Sequence, residues 1–346
     1  MKNKISVWSC LPEELKSKIV ALGEKKYRAD QILNWLYNNK ITDISEWKNI
    51  PGSSKEIFNN RFSTLLPSIS DIQISKDGTR KYLLQLVDGE LIEMVLIPAD
   101  EKLTLCISSQ VGCKRGCRFC ATAKLGFRRN LKVEEIVGQV FIADLESDNK
   151  KLTNIVFMGM GEPLDNLDNV IKAVKILQSE QCFSFSPRRI TISTCGIVPE
   201  IIKLAEGNLK IKLAVSLNAA IDKKRSQIMP VNREYPLAEL KNALQTFSKS
   251  NRFRITFEYV MIHEFNMFME DVTALRKFCG DISSKINLIA WNNIPELNWQ
   301  QPDQNEINSF LSILYKNCSC AITLRNSRGS DISAACGMLA GKRKNK

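Results

Sequence analysis

Three cysteines fall close together in one stretch, Cys113-Lys-Arg-Gly-Cys117-Arg-Phe-Cys120, spaced as CxxxCxxC. Thiolates are soft donors that suit zinc or an iron-sulfur cluster, and a closed structural zinc site needs a fourth ligand at comparable spacing. None is nearby: the only histidine, His263, lies far along the chain and reads as ordinary packing or surface. A four-iron cluster held by three thiolates leaves one iron open, the arrangement needed if the cluster is to bind a small molecule as well as pass an electron. Gly159-Met-Gly161-Glu162-Pro163 joins glycines, which let backbone approach a ligand closely, to a carboxylate able to accept hydrogen bonds from an ammonium or a ribose. A tight turn would use the same residues. Near the C-terminus, Arg328-Gly-Ser-Asp331-Ile-Ser-Ala-Ala-Cys336-Gly337 sets a cysteine among small residues, which suits either a reactive thiol on a mobile loop or an inert packed one.

These segments need a scaffold that brings them together. After residue 100 short apolar strands alternate with amphipathic helical stretches, the rhythm of repeated strand-helix units in a parallel sheet. The predicted strands cover 103–108, 154–158, 189–194, 211–217, 254–260 and 286–291, with helices over 134–145, 170–178, 237–248 and 271–279 and an edge strand over 321–325. In such architectures the active site forms where the strands end. The cysteine loop follows the first strand and Gly159–Pro163 the second; Ser193 ends the third, Ser216 and Asn218 end the fourth, and Asn292 follows the sixth. Five strand ends converging on one site point to an enzyme. Upstream, residues 12 to 62 carry apolar positions at helical spacing (Leu15, Ile19, Leu22, Ile32, Leu33, Leu36) with a break at Pro51-Gly52-Ser53-Ser54, and residues 80–98 alternate around Asp88-Gly89 as a hairpin. The expected organisation is a helical accessory domain over 1–75 that contacts RNA, a β-hairpin extension over 76–100 and a catalytic core over 101–346 that ends in the Cys336 loop.

The composition, 346 residues and 44% hydrophobic, supports a substantial core and excludes a solvated, disordered chain. Forty-nine Lys and Arg against 37 Asp and Glu, a net charge of +12, suit a polyanionic partner such as nucleic acid. The first residues lack the features of a signal peptide and no apolar run is long enough to span a membrane, so a soluble, cytoplasmic protein without a membrane partner is expected. There, eleven cysteines do not form a disulfide framework, and clustered ones suggest metal or redox chemistry. Cys10, Cys182, Cys195, Cys279, Cys318 and Cys320 take the default of buried packing. Lys124, Arg128, Arg129 and Lys132, the pair Arg188-Arg189 and the tail Lys342-Arg343-Lys344 are expected to meet phosphates near the site, with plain solvated charge as the alternative.

CxxxCxxC after a barrel strand is the signature of the radical S-adenosylmethionine (SAM) enzymes, and this chain resembles them. Over nearly its whole length it resembles the RlmN/Cfr family of radical-SAM RNA methyltransferases, through Ile92-Glu93-Met94, Cys106-Ile-Ser-Ser-Gln-Val-Gly-Cys113, Phe119-Cys120-Ala-Thr-Ala, Met158-Gly-Met-Gly-Glu-Pro163, Ile192-Ser193-Thr194, Trp291-Asn292 and Asp331-Ile-Ser-Ala-Ala-Cys336-Gly. Tyr27-Arg28-Ala29-Asp30-Gln31-Ile32 is similar, less specifically, to the family's accessory domain. The resemblance implies an α/β fold, a partial (β/α)6 radical-SAM barrel with a small N-terminal helical domain and a hairpin extension. It implies a 4Fe-4S cluster on Cys113, Cys117 and Cys120 whose open iron binds SAM, and SAM contacts at Gly161, Glu162, Ser193, Ser216, Leu217, Asn218 and Asn292.

By the same resemblance the substrate carbon is C2 or C8 of an adenosine, too electron-poor to attack a sulfonium methyl. Two SAM molecules are then used per turnover, one to methylate Cys336 and one as radical source, and Glu93 acts as the base. Cys106 resolves the RNA-enzyme link as a transient disulfide with Cys336. Read without the family, Glu93 would be a hairpin surface carboxylate and Cys106 a buried strand residue. The implied partners are 23S rRNA and tRNA and an electron donor such as flavodoxin or ferredoxin, with the enzyme a monomer. Many family members have His where Asn218 stands, and a usual Ser and Pro are replaced by Cys195 and Ala290, apart from the implied SAM contacts. A C2 methyltransferase is the leading reading. A Cfr-like C8 enzyme is its nearest rival, and a zinc-stabilised RNA-binding protein is the rival from another class.

Overall fold

The computed structural model describes residues 4–148, 150–292 and 299–340. Its centre is a ten-stranded sheet whose spatial order follows the chain. Strands β1 (Ser68–Ile74), β2 (Arg80–Gln85), β3 (Leu91–Ala99) and β4 (Lys102–Cys106) run antiparallel to one another. From β4 onward β5 (Asn154–Phe157), β6 (Ile190–Thr194), β7 (Lys212–Ser216), β8 (Ile255–Met261), β9 (Ser284–Ala290) and β10 (Ala321–Arg325) are parallel. The two outermost strands, β1 and β10, do not pair with each other, so the barrel is partial.

The parallel strands are apolar and β-branched because helices cover them, and their centres are fully buried at Ile155, Ile192, Val215, Phe257 and Ile286. Helices Val133–Leu145, Leu167–Gln178, Val198–Glu206, Leu237–Ser250, Met269–Cys279 and Gln304–Asn317 supply the cover. All six predicted strands are present, and the predicted edge strand over 321–325 pairs in parallel with β9 as a seventh. One strand of this sheet has no counterpart in the sequence analysis. β1 is polar at alternate positions, with one face exposed, and pairs with β2 through a bulge between Ile69 and Asp71. The hairpin is thus the inner part of a three-stranded antiparallel extension.

The N-terminal helices Pro12–Ala21, Tyr27–Leu33 and Gly52–Arg61 pack on the back of the barrel. The last of them starts directly after Pro51, whose fixed φ suits a helix entry. Trp8 is completely buried, its ring centroid 4.6 Å from that of Phe141 on the first barrel helix, and Tyr37 meets Phe183 at 5.0 Å. The apolar core runs without a break from these helices into the barrel.

Candidate active site

The cysteine loop is tied at its base. Gln110–Gly112 pairs antiparallel with Phe127–Asn130, so the chain between them leaves and returns through a two-stranded clip. Gly112, at φ +75°, passes so close to the Gly126 carbonyl that a Cβ would collide with it. The tip of the loop is held by Arg115, whose guanidinium grips Asp165 and reaches Glu234 at 3.2 Å, and Lys114 lies 3.3 Å from Asp165. Cys113, Cys117 and Cys120 thereby line one cavity at the C-terminal edge of the parallel strands.

Burial pushes all three thiols up, Cys113 to about 12, and repulsion from neighbouring thiols adds to the rise, from within the set at Cys113 and Cys117 and from Cys336 at Cys120. They are partly buried sulfur donors that the protein alone does not keep ionised, which suits a cationic centre. Among the described residues no group of three or more Cys, His, Asp or Glu converges as a single metal ion requires. A four-iron cluster asks for a wider set, since each thiolate binds a different iron. The donor set therefore fits such a cluster better than zinc.

Around the same cavity stand Gly161, Glu162, Ser193, Ser216, Asn218 and Asn292, at the ends of four strands. Gly161 has φ +96°, and a Cβ there would strike Gln110, so the loop after β5 can lie flat against the cysteine clip only with glycine. Glu162 is pushed up by burial, opposed by the amides of Cys195 at 2.7 Å and Leu164 at 3.0 Å, which its carboxylate oxygens accept. Asn218 adopts φ +57°, a conformation asparagine tolerates, and its Oδ1 accepts the Val260 amide at 3.0 Å. Among the expected SAM contacts Leu217 differs. Its side chain is wholly buried outside the cavity lining, while its backbone joins the strand ends through Glu258 and Arg225.

Cys336 is exposed and sits where two cavities meet. It lines the cluster cavity, and it also lines a smaller one with Cys106, Met158, Ile289 and Arg325. The segment that carries it is docked on the cysteine loop: the Ala121 amide donates to the Gly337 carbonyl at 2.6 Å and the Thr122 hydroxyl to the Leu339 carbonyl at 2.8 Å. Upstream, Asp331 accepts from the Ser75 hydroxyl at 2.6 Å and from the Lys76 amide at 3.2 Å, and Asp77 accepts from the Gly329 amide at 3.0 Å. The antiparallel extension thus acts as a bracket for the Cys336 loop. Glu93 belongs to that bracket and not to either cavity lining. It is buried, 3.2 Å from the Lys81 ammonium, and accepts the Ala340 amide at 2.7 Å.

Several site residues carry no sequence signal. Arg225 is fully buried; it donates to the carbonyls of Cys195 at 2.6 Å, Leu217 at 3.1 Å and Ser216 at 3.3 Å, and to Asn232 at 2.8 Å, drawing the ends of β6 and β7 together. Glu258, Arg325, Cys195 and Ala290 also line the cluster cavity, so both departures set apart in the sequence lie in the site itself.

The basic residues expected near the site divide. Arg128 pairs with Glu90 at 2.7 Å on the hairpin, and Arg129, with Glu135 at 2.8 Å and Asp88 at 2.6 Å, ties the hairpin to the first barrel helix. Arg188 and Arg189 precede β6 and therefore lie at the opposite end of the barrel from the cavity, because the chain enters a parallel strand at the far edge. The Lys342-Arg343-Lys344 tail is outside the described residues. His263 pairs with Glu306 at 2.7 Å, away from both cavities.

A partial parallel barrel with a three-cysteine loop and a cavity at its strand ends defines a radical-SAM protein, and the Radical SAM superfamily model matches residues 107–279. The model of the ribosomal RNA large subunit methyltransferase N-terminal domain matches residues 9–62. The chain is 44% identical to the dual-specificity RNA methyltransferase RlmN of Geobacter sulfurreducens, over 99% of this chain and 94% of that one. It is 43% identical to the protein of the same name from Syntrophus aciditrophicus, over 98% and 97%. A crystal structure of a radical SAM methyltransferase from Sphaerobacter thermophilus superposes with a TM-score of 0.93 at 38% identity, covering 98% of this chain and all of that one. This chain belongs to the RlmN family of radical-SAM RNA methyltransferases.

Proposed function

We propose that the enzyme methylates C2 of an adenosine in the peptidyl-transferase centre of 23S rRNA and of the adenosine 3′ of the anticodon in tRNAs, with Cys336 as the methyl carrier. The observation that carries this reading is the place of Cys336 between the cavity of the cluster cysteines and the cavity of Cys106. The relatives' shared name, dual-specificity RNA methyltransferase RlmN, supports two RNA substrates and the C2 reading over the C8 one.

A 4Fe-4S cluster and two SAM molecules per turnover supply the methyl group and the radical chemistry that an electron-poor ring carbon requires. Cys113, Cys117 and Cys120 hold the cluster; Gly161, Glu162, Ser193, Ser216, Asn218 and Asn292 hold SAM, with Leu217 fixing its strand end by its backbone. Cys336 accepts a methyl group and presents it to the adenine. Glu93 takes the ring proton, and the Ala340 amide it accepts from ties it to the segment that carries Cys336. The Cys106 thiolate then attacks the Cys336 sulfur. The bond from that sulfur to the transferred carbon breaks with its electron pair going to the carbon, which takes up a proton to become the methyl group, and a Cys106–Cys336 disulfide remains to be reduced before the next turnover. Flavodoxin or ferredoxin as electron donor, a monomeric state and a cytoplasmic location complete the reading; no helix among the described residues is long and apolar enough to cross a membrane.

Mass spectrometry of nucleosides from RNA treated with the reconstituted enzyme tests the reaction. The expected product is 2-methyladenosine, and 8-methyladenosine in its place would overturn the C2 reading. Cys336→Ala is expected to keep the cluster and reductive SAM cleavage while losing RNA methylation at least a thousandfold; full methylation by this variant would end the carrier role.

A further inference from the structure

Arg188 and Arg189 belong to a larger pattern at the N-terminal edge of the barrel. Side chains alternate faces along a strand, so the residue four places before one that lines a cavity shares its face. Counting back four from Cys106, Ser193, Ser216, Glu258 and Ile289, which line the two cavities, gives Lys102, Arg189, Lys212, Arg254 and Lys285. Five of the seven parallel strands, β4, β6, β7, β8 and β9, thus carry a cation on the inward face at or just before their start. Register sets them side by side with the stagger of tilted barrel strands. Arg189 stands two residues before the partner of Lys212, Lys212 is level with Arg254, and Lys285 pairs with the residue two after Arg254. At roughly 3.3 Å per residue the cations lie about 13 Å below the site.

The inward face above them is polar and not packed shut. Asn154, Thr191 and Asn287 are half-buried, whereas their outward neighbours Ile155, Ile190 and Ile286 are wholly buried under the helices. Glu258, at the level of the site, accepts from Asn287 at 2.8 Å. Among the described residues none of the five cations, nor the exposed Arg188 beside them, forms an ion pair, although Arg115, Arg128 and Arg129 elsewhere are all paired. Lys212 is held below the ordinary lysine value by its burial and by the charges of Lys285, Arg189, Arg188 and Lys102. Like charges are gathered here without their counter-charge.

We infer that this N-terminal mouth of the barrel is a phosphate-binding surface for the substrate RNA, separate from the methyl-transfer site; the inference rests on the RNA substrates proposed above. From β4 to β9 the cations span about 24 Å at roughly 4.8 Å per strand, too wide for one free phosphate and suited to a run of backbone phosphates. They face inward around a concave mouth, which admits a thin RNA strand better than the convex surface of a folded acidic protein. Contacts of this kind position RNA without reading its sequence.

The test is the salt dependence of tRNA binding to the cluster-loaded enzyme. Each phosphate contact contributes about 0.7 to the slope of log affinity against log salt for single-stranded RNA. Lys102→Gln, Arg188→Gln and Lys212→Gln combined are expected to lower that slope by about 2 and to weaken binding at least tenfold at physiological salt. The charge-keeping set Lys102→Arg, Arg188→Lys and Lys212→Arg is expected to bind like wild type. If Lys212→Gln does not fold, the pair Lys102→Gln and Arg188→Gln, both exposed, is expected to lower the slope by about 1.4. A wild-type enzyme that methylates tRNA, beside a Gln variant with unchanged slope and affinity, would overturn this inference alone. Unchanged RNA affinity with slower cluster reduction by flavodoxin would give the surface to an acidic protein and overturn it too. A wild-type enzyme that neither binds nor methylates RNA would overturn the functional reading itself, and this inference with it.

Discussion

Burial raises the Cys106 thiol to about 12, with the charge of Cys336 adding to the rise and Arg325 opposing it. The attacking species in disulfide formation is the thiolate, so near neutrality the reactive fraction is small and grows about tenfold with each pH unit. In single-turnover reactions the RNA-enzyme adduct is therefore expected to resolve about tenfold faster per unit between pH 7 and 9, followed by gel shift of the covalent species. A flat profile would mean that resolution does not wait on Cys106 ionisation. Arg225 makes the second argument at this scale. Arg225→Met would remove a charged donor from three strand-end carbonyls in a buried site, at about 1 kcal/mol each. A loss of about 3 kcal/mol in chemical denaturation and weaker SAM binding are expected together. The cysteines and the Gly159–Pro163 loop were legible because their chemistry is concentrated in short motifs. Arg225, Glu258 and Arg325 were not, because each works through partners remote in sequence that only folding brings near.

The parallel strands were readable for a plain reason: each buries a face of Ile, Leu, Val or Phe under the helices, so short apolar-rich stretches recur between helical ones. β1 escaped because Ser68-Ile-Ser-Asp-Ile-Gln-Ile74 is a half-solvated edge whose polar positions resemble a loop. Its neighbourhood nonetheless matters to the site, since the turn joining β1 to β2 supplies the anchors of the Cys336 loop. Asp331 joins that loop to Ser75 and Lys76, and Asp77 joins it at Gly329. Asp331→Ala removes the first pair of contacts without touching either cavity. Hydrogen exchange over residues 329–340 is expected to quicken and methylation to fall about tenfold, while 5′-deoxyadenosine formation by reductive SAM cleavage stays unchanged. Equal loss of both activities would show that the bracket supports the whole site and not the carrier loop alone.

The molecule as a whole does not divide cleanly where its sequence changes character. The helical N-terminal segment looks like an appendage in the sequence, yet Trp8 is packed against Phe141 of the first barrel helix and Tyr37, and its indole donates to the Thr64 carbonyl at 3.0 Å. Lys40 pairs with Asp144 at 2.7 Å and Lys172 with Glu14 at 2.8 Å around that apolar centre. Exposed ion pairs of this kind add little, whereas removing a buried indole costs about 3 to 5 kcal/mol through lost burial and the cavity left behind. Because the core is continuous across the junction, that loss is expected to fall on the whole chain. Trp8→Ala should lower the denaturation midpoint of the barrel itself, with far-ultraviolet circular dichroism and the near-ultraviolet signal of the barrel aromatics moving in one transition. Two transitions, with the barrel's unchanged, would instead show that the N-terminal helices unfold alone. In the cooperative case the helices that match the rRNA methyltransferase N-terminal domain are rigidly placed relative to the cavity at the strand ends, because one core positions both.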